Sequence, residues 1–358
     1  MIEKNNRVIF CTLFPNFSDV HMVKDVGMIP KIMSEMGYES WVFSRVKIDS
    51  SEVKIIKFKN IFELLAVFAR KCSVIDVLNL YHLDLLNFFF IHLYRFYNKK
   101  GIVYLKLDMD YVNYQHLKNN IWIKKIIKKN IINSSNIVSV ESRKIEECMK
   151  KLMPQKKFIF VPDGVNIEKK NIKRENVILT VGRLGTEQKN TEMLVEAFSE
   201  LDFPDWRLCL VGKMEDDFKL WLNEYIGDNH KLRCRIEVLD NISDRDYLAE
   251  IYCKAHIFVL PSRWESFGIA MAEALRCGDY VLTTHEVPAA YDYILNEKIG
   301  KILNNVDKNV LREEISETIN KKLYANHAYI EECVNKCFDW RLICGELDRE
   351  IKKIIPEK

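Results

Sequence analysis

Residues 256–278 read HIFVLPSRWESFGIAMAEALRCG, and this stretch decides the fold. The unbroken apolar run of Ile257, Phe258, Val259 and Leu260 fits a strand covered on both faces. Pro261 and Ser262 break that strand, and an Ala-, Met- and Leu-rich run then closes on Gly278, as a helix does. In this strand, turn and helix, the backbone N–H groups of Ser266, Phe267 and Gly268 open a helix mouth suited to an anion or a hydroxyl. Glu265 sits in the turn. Glu273 lies eight residues on, about two turns along a helix expected to begin near Phe267, so the two carboxylates address different parts of one extended ligand. The spacing alone is unspecific, since Glu192 and Glu200 repeat it.

The same alternation of short Val-, Ile- and Phe-rich runs with longer helical patterns extends in both directions, predicting parallel sheets built from β/α repeats. Strands are expected at 8–13, 39–44, 54–58, 77–80, 101–107, 137–140 and 157–161, then at 176–181, 207–211, 236–239, 257–260, 279–283 and 300–303. A Pro-Asp-Gly turn in VPDGVN, followed by the charged run IEKKNIKREN, marks the boundary between two doubly wound α/β domains. We place these at 1–166 and 167–337. Residues 338–358 form an amphipathic helix expected to return to the first domain. Ligands of such sheets bind at the carboxyl ends of strands, so a cleft between two facing sheets is the expected active site.

Composition narrows the class. The 358 residues are 48% hydrophobic and 29% charged, which supplies two cores and excludes a disordered chain, while 12 Gly and 8 Pro exclude collagen-like repeats. A net charge of +3 hides an asymmetry: residues 1–165 carry 26 Lys and Arg against 16 Asp and Glu, and the remainder 28 against 35. The halves therefore face different partners. The 10 Cys show no C-x-x-C and no zinc spacing, which fits a reducing cytoplasm. No apolar run reaches the roughly 18 residues that span a bilayer, and no signal-peptide pattern opens the chain.

Four markers in order give the chain a resemblance. ILTVGRLGTEQKNTEMLVEAF at 178–198, LCLVGK at 208–213, the stretch around Glu265 and Glu273, and VPDGVN with CFDW at 337–340 together resemble retaining, family 4 type glycosyltransferases of the GT-B fold. The resemblance implies two Rossmann-like doubly wound parallel-sheet domains facing across a cleft, the second binding a nucleoside diphosphate sugar and the first a hydroxyl acceptor. It assigns Arg183 and Lys189 to the diphosphate, Glu265 to hydroxyls of the transferred sugar and Glu273 to the ribose. Gly182, Gly212, Leu239, Ser266, Phe267 and Gly268 complete the implied donor site. The residue chemistry agrees, because two cations six residues apart at a strand end suit the charge that grows on a departing diphosphate. On this reading neither metal nor cofactor is needed, and the co-substrate is a UDP or GDP sugar. The implied setting is assembly of a bacterial surface polysaccharide or glycolipid in the cytoplasm, with the protein peripheral at the inner face of the membrane.

The first half departs from the pattern. FPNFSDVHMVKDVGMIP, residues 14–30, follows the first strand with a single Gly27 where a Gly-rich loop is usual. His21, Lys24 and Asp25 are spaced to line the acceptor side. YLKLDMDYVNY puts Asp108 and Asp110 after a middle strand, where the resemblance leads one to expect a His. They are candidates for orienting the acceptor, and Asp-x-Asp is also the motif with which metal-dependent GT-A enzymes hold a divalent cation. Residues 85–135 carry nine cations and two anions among large apolar side chains, which suits an anionic membrane surface, the alternative being a packed helix with solvated lysines. No motif for nucleic acid is present. Competing functions are a GT-B related epimerase or phosphorylase, or a sugar-nucleotide binding protein without catalysis; a nicotinamide dehydrogenase lacks its G-x-G-x-x-G.

Overall fold

Strands buried at nearly every position need a sheet covered on both faces, and the central strands of both sheets of this chain are of that kind. The structure, a computed structural model, describes residues 7–18, 21–46, 48, 50–119, 121–227, 229–305 and 307–355. The chain divides into two units, one comprising residues up to Gly164 and from Asp339 onward, the other Val165–Phe338.

The first unit contains β1 (Ile9–Thr12), α1 (Asp25–Glu35), β2 (Glu39–Ser44), β3 (Lys54–Lys57), α2 (Ile61–Lys71), β4 (Val77–Tyr81), α3 (Leu85–Tyr97) and β5 (Ile102–Leu107). It continues with α4 (Tyr111–Asn119), α5 (Trp122–Ser134), β6 (Ile137–Val140), α6 (Arg143–Leu152) and β7 (Ile159–Phe160). All pairings are parallel, in the order β3-β2-β1-β4-β5-β6-β7. Successive side chains point to opposite faces, so Phe10, Val77, Ile102 and Tyr104 enter one core while Cys11, Leu78, Val103 and Leu105 enter the other.

The second unit contains β8 (Val177–Val181), α7 (Thr191–Ser199), β9 (Arg207–Val211), α8 (Asp216–Ile226), α9 (His230–Arg233), β10 (Ile236–Leu239), α10 (Arg245–Lys254) and β11 (Ile257–Leu260). After these come α11 (Ile269–Cys277), β12 (Tyr280–Thr284), α12 (Ala290–Tyr293), β13 (Gly300–Leu303), α13 (Lys308–Asn320) and α14 (His327–Val334). The sheet is parallel in the order β10-β9-β8-β11-β12-β13. Each expected strand has its counterpart here, with ends shifted by one or two residues where a run continues into a turn.

The last helix, α15 (Trp340–Lys352), belongs to the first unit. Trp340, Cys344, Leu347 and Ile351 recur at helical spacing and are buried with Phe10, Ile29, Met33 and Tyr104. Polar ties fix its register: Tyr38 Oη donates to Asp348 at 2.8 Å, Arg341 pairs with Glu35 at 2.6 Å and Lys157 with Glu350 at 2.7 Å. Among the described residues no helix is long and apolar enough to cross a membrane. Because Leu347 is fully buried in this core, truncating it to Ala should cost about 2–5 kcal/mol. Urea denaturation of the purified chain measures the loss; a change within experimental scatter would mean that the helix does not complete this core.

Candidate active site

In the second unit the strand order turns back on itself between β8 and β11, so the connections after these neighbouring strands leave on opposite sides and part at their carboxyl ends. The expected donor residues arise there. Gly182 follows β8 and its N–H donates to Val211 O at 2.9 Å; Gly212 follows β9 and donates to Leu239 O at 3.0 Å. Gly212 has φ +132°, and a Cβ on it would stand 1.9 Å from Gly182 O, so only glycine fits. A Cβ on Gly182 would meet Lys189 Cε at 3.2 Å, which shows the lysine stem lying across the bare backbone.

Lys189, from the loop after β8, forms an ion pair with Glu265, from the loop after β11, so the pair bridges the point where the strand order reverses. The side chains are 17% and 9% exposed, so the charges are largely buried and not on an open face. Ser262 Oγ donates to Glu265 Oε1 at 2.8 Å, and Gln188 Nε2 donates to Trp264 O at 3.0 Å and to Glu265 Oε2 at 3.4 Å. Arg183 is held from the other side, its Nη2 donating to Gln188 Oε1 at 2.8 Å. Among the described residues Arg183 has no carboxylate partner, and its charge is available to a ligand. Gln188 and Ser262 were not singled out from the sequence, although each lies within three residues of Lys189 or Glu265.

The helix after β11 starts later than expected. Gly268, at φ +81°, caps it and α11 begins at Ile269, so Glu273 is one turn from the start and not two. The backbone N–H groups of Ser266, Phe267 and Gly268 make no hydrogen bond to the described residues and open beside Glu265. The Phe267 ring is buried against Tyr293 and Phe338, leaving its N–H as the part offered to a ligand. Leu239 closes β10, and its carbonyl holds Gly212. Glu273 is already engaged: Arg245 pairs with one oxygen and Tyr252 Oη donates to the other at 3.0 Å. Arg245 also donates to Asn166 O at 3.1 Å.

In the first unit the acceptor candidates part company. His21 Nδ1 sits 2.8 Å from Ser18 Oγ with the ring against Phe14 and Phe17, and burial followed by the Lys24 charge pushes its pKa down. Lys24 is exposed at the start of α1. Asp110 is buried and caps α4, accepting from Asn113 N at 2.6 Å and Asn113 Nδ2 at 3.1 Å, whereas Asp108 is exposed. The two carboxylates of Asp-x-Asp therefore do different jobs, because the chain turns into a helix between them.

A charged cluster that was not anticipated lies inside this unit. Lys106, fully buried on β5, meets Asp163 at 2.8 Å, Asp25 at 3.5 Å and Glu141. The three carboxylates are close enough to share a cation, and the Lys106 ammonium takes that place. Burial alone would lower the lysine pKa, but Asp163, Glu141 and Asp25 outweigh it and hold it above the ordinary value. Glu141 is pushed up by burial and then by Asp163, and Asp163 is raised to about 7 by burial despite Lys106, with Asp25 and Asp108 adding to the rise. Three acids against one base thus retain a proton, and Glu141 Oε2, buried without a partner, is a place for it.

A carboxyl whose folded pKa exceeds its unfolded value stabilises the fold at low pH and ceases to do so as pH climbs through the folded value. The urea midpoint of the first unit's transition should therefore fall between pH 5 and pH 8, and fall less in Asp163→Asn. Lys106→Met strands the buried acids Glu141 and Asp163 and should cost about 3–5 kcal/mol at pH 7. Parallel slopes for the wild type and Asp163→Asn would exclude the shared proton.

Residues 164–332 match the family model described as glycosyl transferases group 1. An uncharacterized glycosyltransferase of Methanocaldococcus jannaschii is 29% identical over 210 residues, 58% of this chain and 56% of the relative, so the chain spans little over half of that protein. The mannosylfructose-phosphate synthase of Agrobacterium fabrum is 32% identical over 115 residues, 30% of this chain and 25% of its own length. Among solved structures, the sucrose-phosphate synthase of Thermosynechococcus elongatus superposes with a TM-score of 0.77 at 18% identity, covering 97% of this chain and 99% of that one. HepE of Anabaena, solved in complex with UDP, gives 0.76 at 14% identity, with 97% and 100% covered. The two parallel-sheet units have the GT-B fold, and residues 164–332 are similar to glycosyl transferases group 1.

Proposed function

We propose that this protein is a retaining, family 4 type glycosyltransferase that moves a sugar from a nucleoside diphosphate to a hydroxyl acceptor without a metal ion. The observation that carries the reading is the Lys189–Glu265 pair at the strand reversal, with Arg183 uncommitted beside it and the mouth of α11 open. These groups match the two ends of a sugar diphosphate. Arg183, Lys189 and the N–H groups near Phe267 take the phosphates, and Glu265 takes sugar hydroxyls once the phosphate competes for Lys189. The UDP in the HepE structure and the group 1 match support a UDP or GDP sugar as donor.

The reaction is a front-face displacement. The bond from the anomeric carbon to the phosphate oxygen breaks as the acceptor oxygen bonds the same face, and the acceptor proton passes to the departing phosphate. Two fixed cations offset the charge that appears there, which is why no cation need be recruited. Glu265 holds the sugar and is not a nucleophile. Glu273 reaches the ribose only if Arg245 gives way, since both its oxygens are taken.

The acceptor belongs to the first unit. At the start of α5 the exposed cap residue Ile121 and the exposed Trp122 and Ile123, at 70%, 73% and 61%, stand beside Lys124 and Lys125, and on α3 Phe89 and Phe96 are exposed. Apolar side chains among cations suit anionic lipid, which favours a lipid-linked acceptor at the inner face of a membrane and a role in surface polysaccharide assembly.

A thermal-shift screen with UDP, GDP and ADP, each with and without EDTA, should find one nucleotide that adds about 2.7 kcal/mol at a hundredfold excess over its Kd, unaffected by chelation. Lys189→Ala should lose that stabilisation. Glu265→Gln should keep it and lose sugar transfer by about a hundredfold or more. Stabilisation that requires Mn²⁺ would end the metal-free reading, and inversion at the anomeric carbon of the product would end the front-face mechanism. Flotation with phosphatidylglycerol vesicles at low salt, lost in Trp122→Glu, checks the membrane surface.

A further inference from the structure

The first unit holds a cavity of about 210 Å³ at the carboxyl ends of β4 and β5, lined by His82, Asp108, Asn113 and Lys128 over a floor of Leu107 and Met109. At ~30 Å³ per water it has room for about seven waters, the scale of one small polyol. β4 and β5 pair in register up to Tyr81 and Lys106, so His82 and Asp108 are the first residues past their two neighbouring strands, one residue out of step. Lys128 reaches the same space from α5.

The polar groups around it divide sharply. Asp84 caps α3 through Asn87 N at 2.8 Å, and Asp110 caps α4. The His82 ring, the Asp108 carboxylate and the Lys128 ammonium make no hydrogen bond or ion pair with any described residue. Asn113 donates to Asp110 and leaves its side-chain oxygen as an acceptor. His82 also adopts φ +67°, a region that costs a residue with a Cβ about 1–2 kcal/mol, and buried Asn87 clamps it by donating to Tyr81 O and, at 3.2 Å, to His82 O. A strained turn, fixed by a buried amide, thus presents a free imidazole to a cavity with a free carboxylate and a free ammonium.

We propose that this cavity binds a phosphorylated polyol, with the phosphate at Lys128 and the hydroxyls at Asp108, Asn113 and His82. Asp108 and the Asn113 oxygen only accept, so the ligand must donate hydroxyls, while Lys128 only donates, so the ligand must also carry an anion. A bare anion would use Lys128 alone and an unphosphorylated sugar Asp108 alone, leaving the other to water, whereas a ligand carrying both groups engages both, and the apolar floor suits the C–H face of a ring. Identifying this ligand as the acceptor rests on the glycosyltransferase reading; the binding itself does not.

Isothermal titration of the full chain compares glucose with glucose 1-phosphate, myo-inositol with its 1-phosphate, glycerol with glycerol 3-phosphate, and inorganic phosphate alone. At least one phosphate ester should bind tenfold or more tightly than its parent polyol and than inorganic phosphate. Lys128→Met should abolish that preference and Lys128→Arg restore it, both with unchanged melting temperature because Lys128 is part-exposed. Asp108→Asn should weaken the ester and its parent alike. If the phosphate arrives on a lipid, phosphatidylinositol vesicles will displace the soluble ester and phosphatidylcholine vesicles will not; if it arrives free, neither will. Equal affinity for ester and polyol, no binding across the panel, or a preference that survives Lys128→Met overturns the proposal. UDP and GDP titrated into the same wild-type sample separate the outcomes: no nucleotide binding would sink the donor site while leaving this cavity to stand or fall on its own.

Discussion

Where neighbouring parallel strands send their connections to opposite faces of a sheet, the loops at their carboxyl ends are forced apart, and the rest of this molecule follows from that constraint. Both sheets obey it, between β1 and β4 in one unit and between β8 and β11 in the other. At the reversal a polar side chain meets solvent without opening a core, and in the second unit the site residues from four adjacent strands gather around it. The glycines at 182 and 212 serve the same end, letting the backbone lie close enough for a lysine stem to cross it.

The two units treat charge in opposite ways. In the second, Lys189 and Glu265 are largely buried but keep an edge to solvent, and Arg183 beside them is held only by Gln188, so an incoming anion has two cations to compete for. In the first, Lys106, Glu141 and Asp163 are sealed and Asp25, at 14% exposure, forms the rim of the cluster. A pair with an edge to solvent suits exchange of partners, whereas the buried cluster suits permanence. Asp163, one residue before the first unit ends at Gly164, belongs to the permanent kind and anchors that stretch of chain to β5.

Strands were legible because burial on both faces writes a continuous apolar run, and the order of motifs around Glu265 made the second sheet's connectivity plain. The start of α11 was not legible to the residue, since Gly268 fits a turn as well as a first helical position and only its left-handed backbone decides. Asp108 and Asp110 look equivalent in the sequence, and which of them caps a helix depends on where α4 begins. His82 carried no local signal and Lys128 only that of a basic, apolar helix suited to a membrane surface; only folding brings the two to a common cavity. The partners of Glu273 escaped for the same reason, because Arg245 and Tyr252 come from α10, whose packing against α11 no spacing encodes.

The helix α15 makes the first unit discontinuous, and this has a bearing on biosynthesis. A ribosome adding about 5–20 residues per second needs roughly 10–35 s to pass from the end of one segment of that unit to the beginning of the next. Throughout this interval Phe10, Ile29 and Met33 lack their final cover, while the intervening unit, contiguous from Val165 to Phe338, is free to finish. The order of emergence from the ribosome is thus the reverse of the order of completion, and the unfinished sheet is the surface that a chaperone would meet.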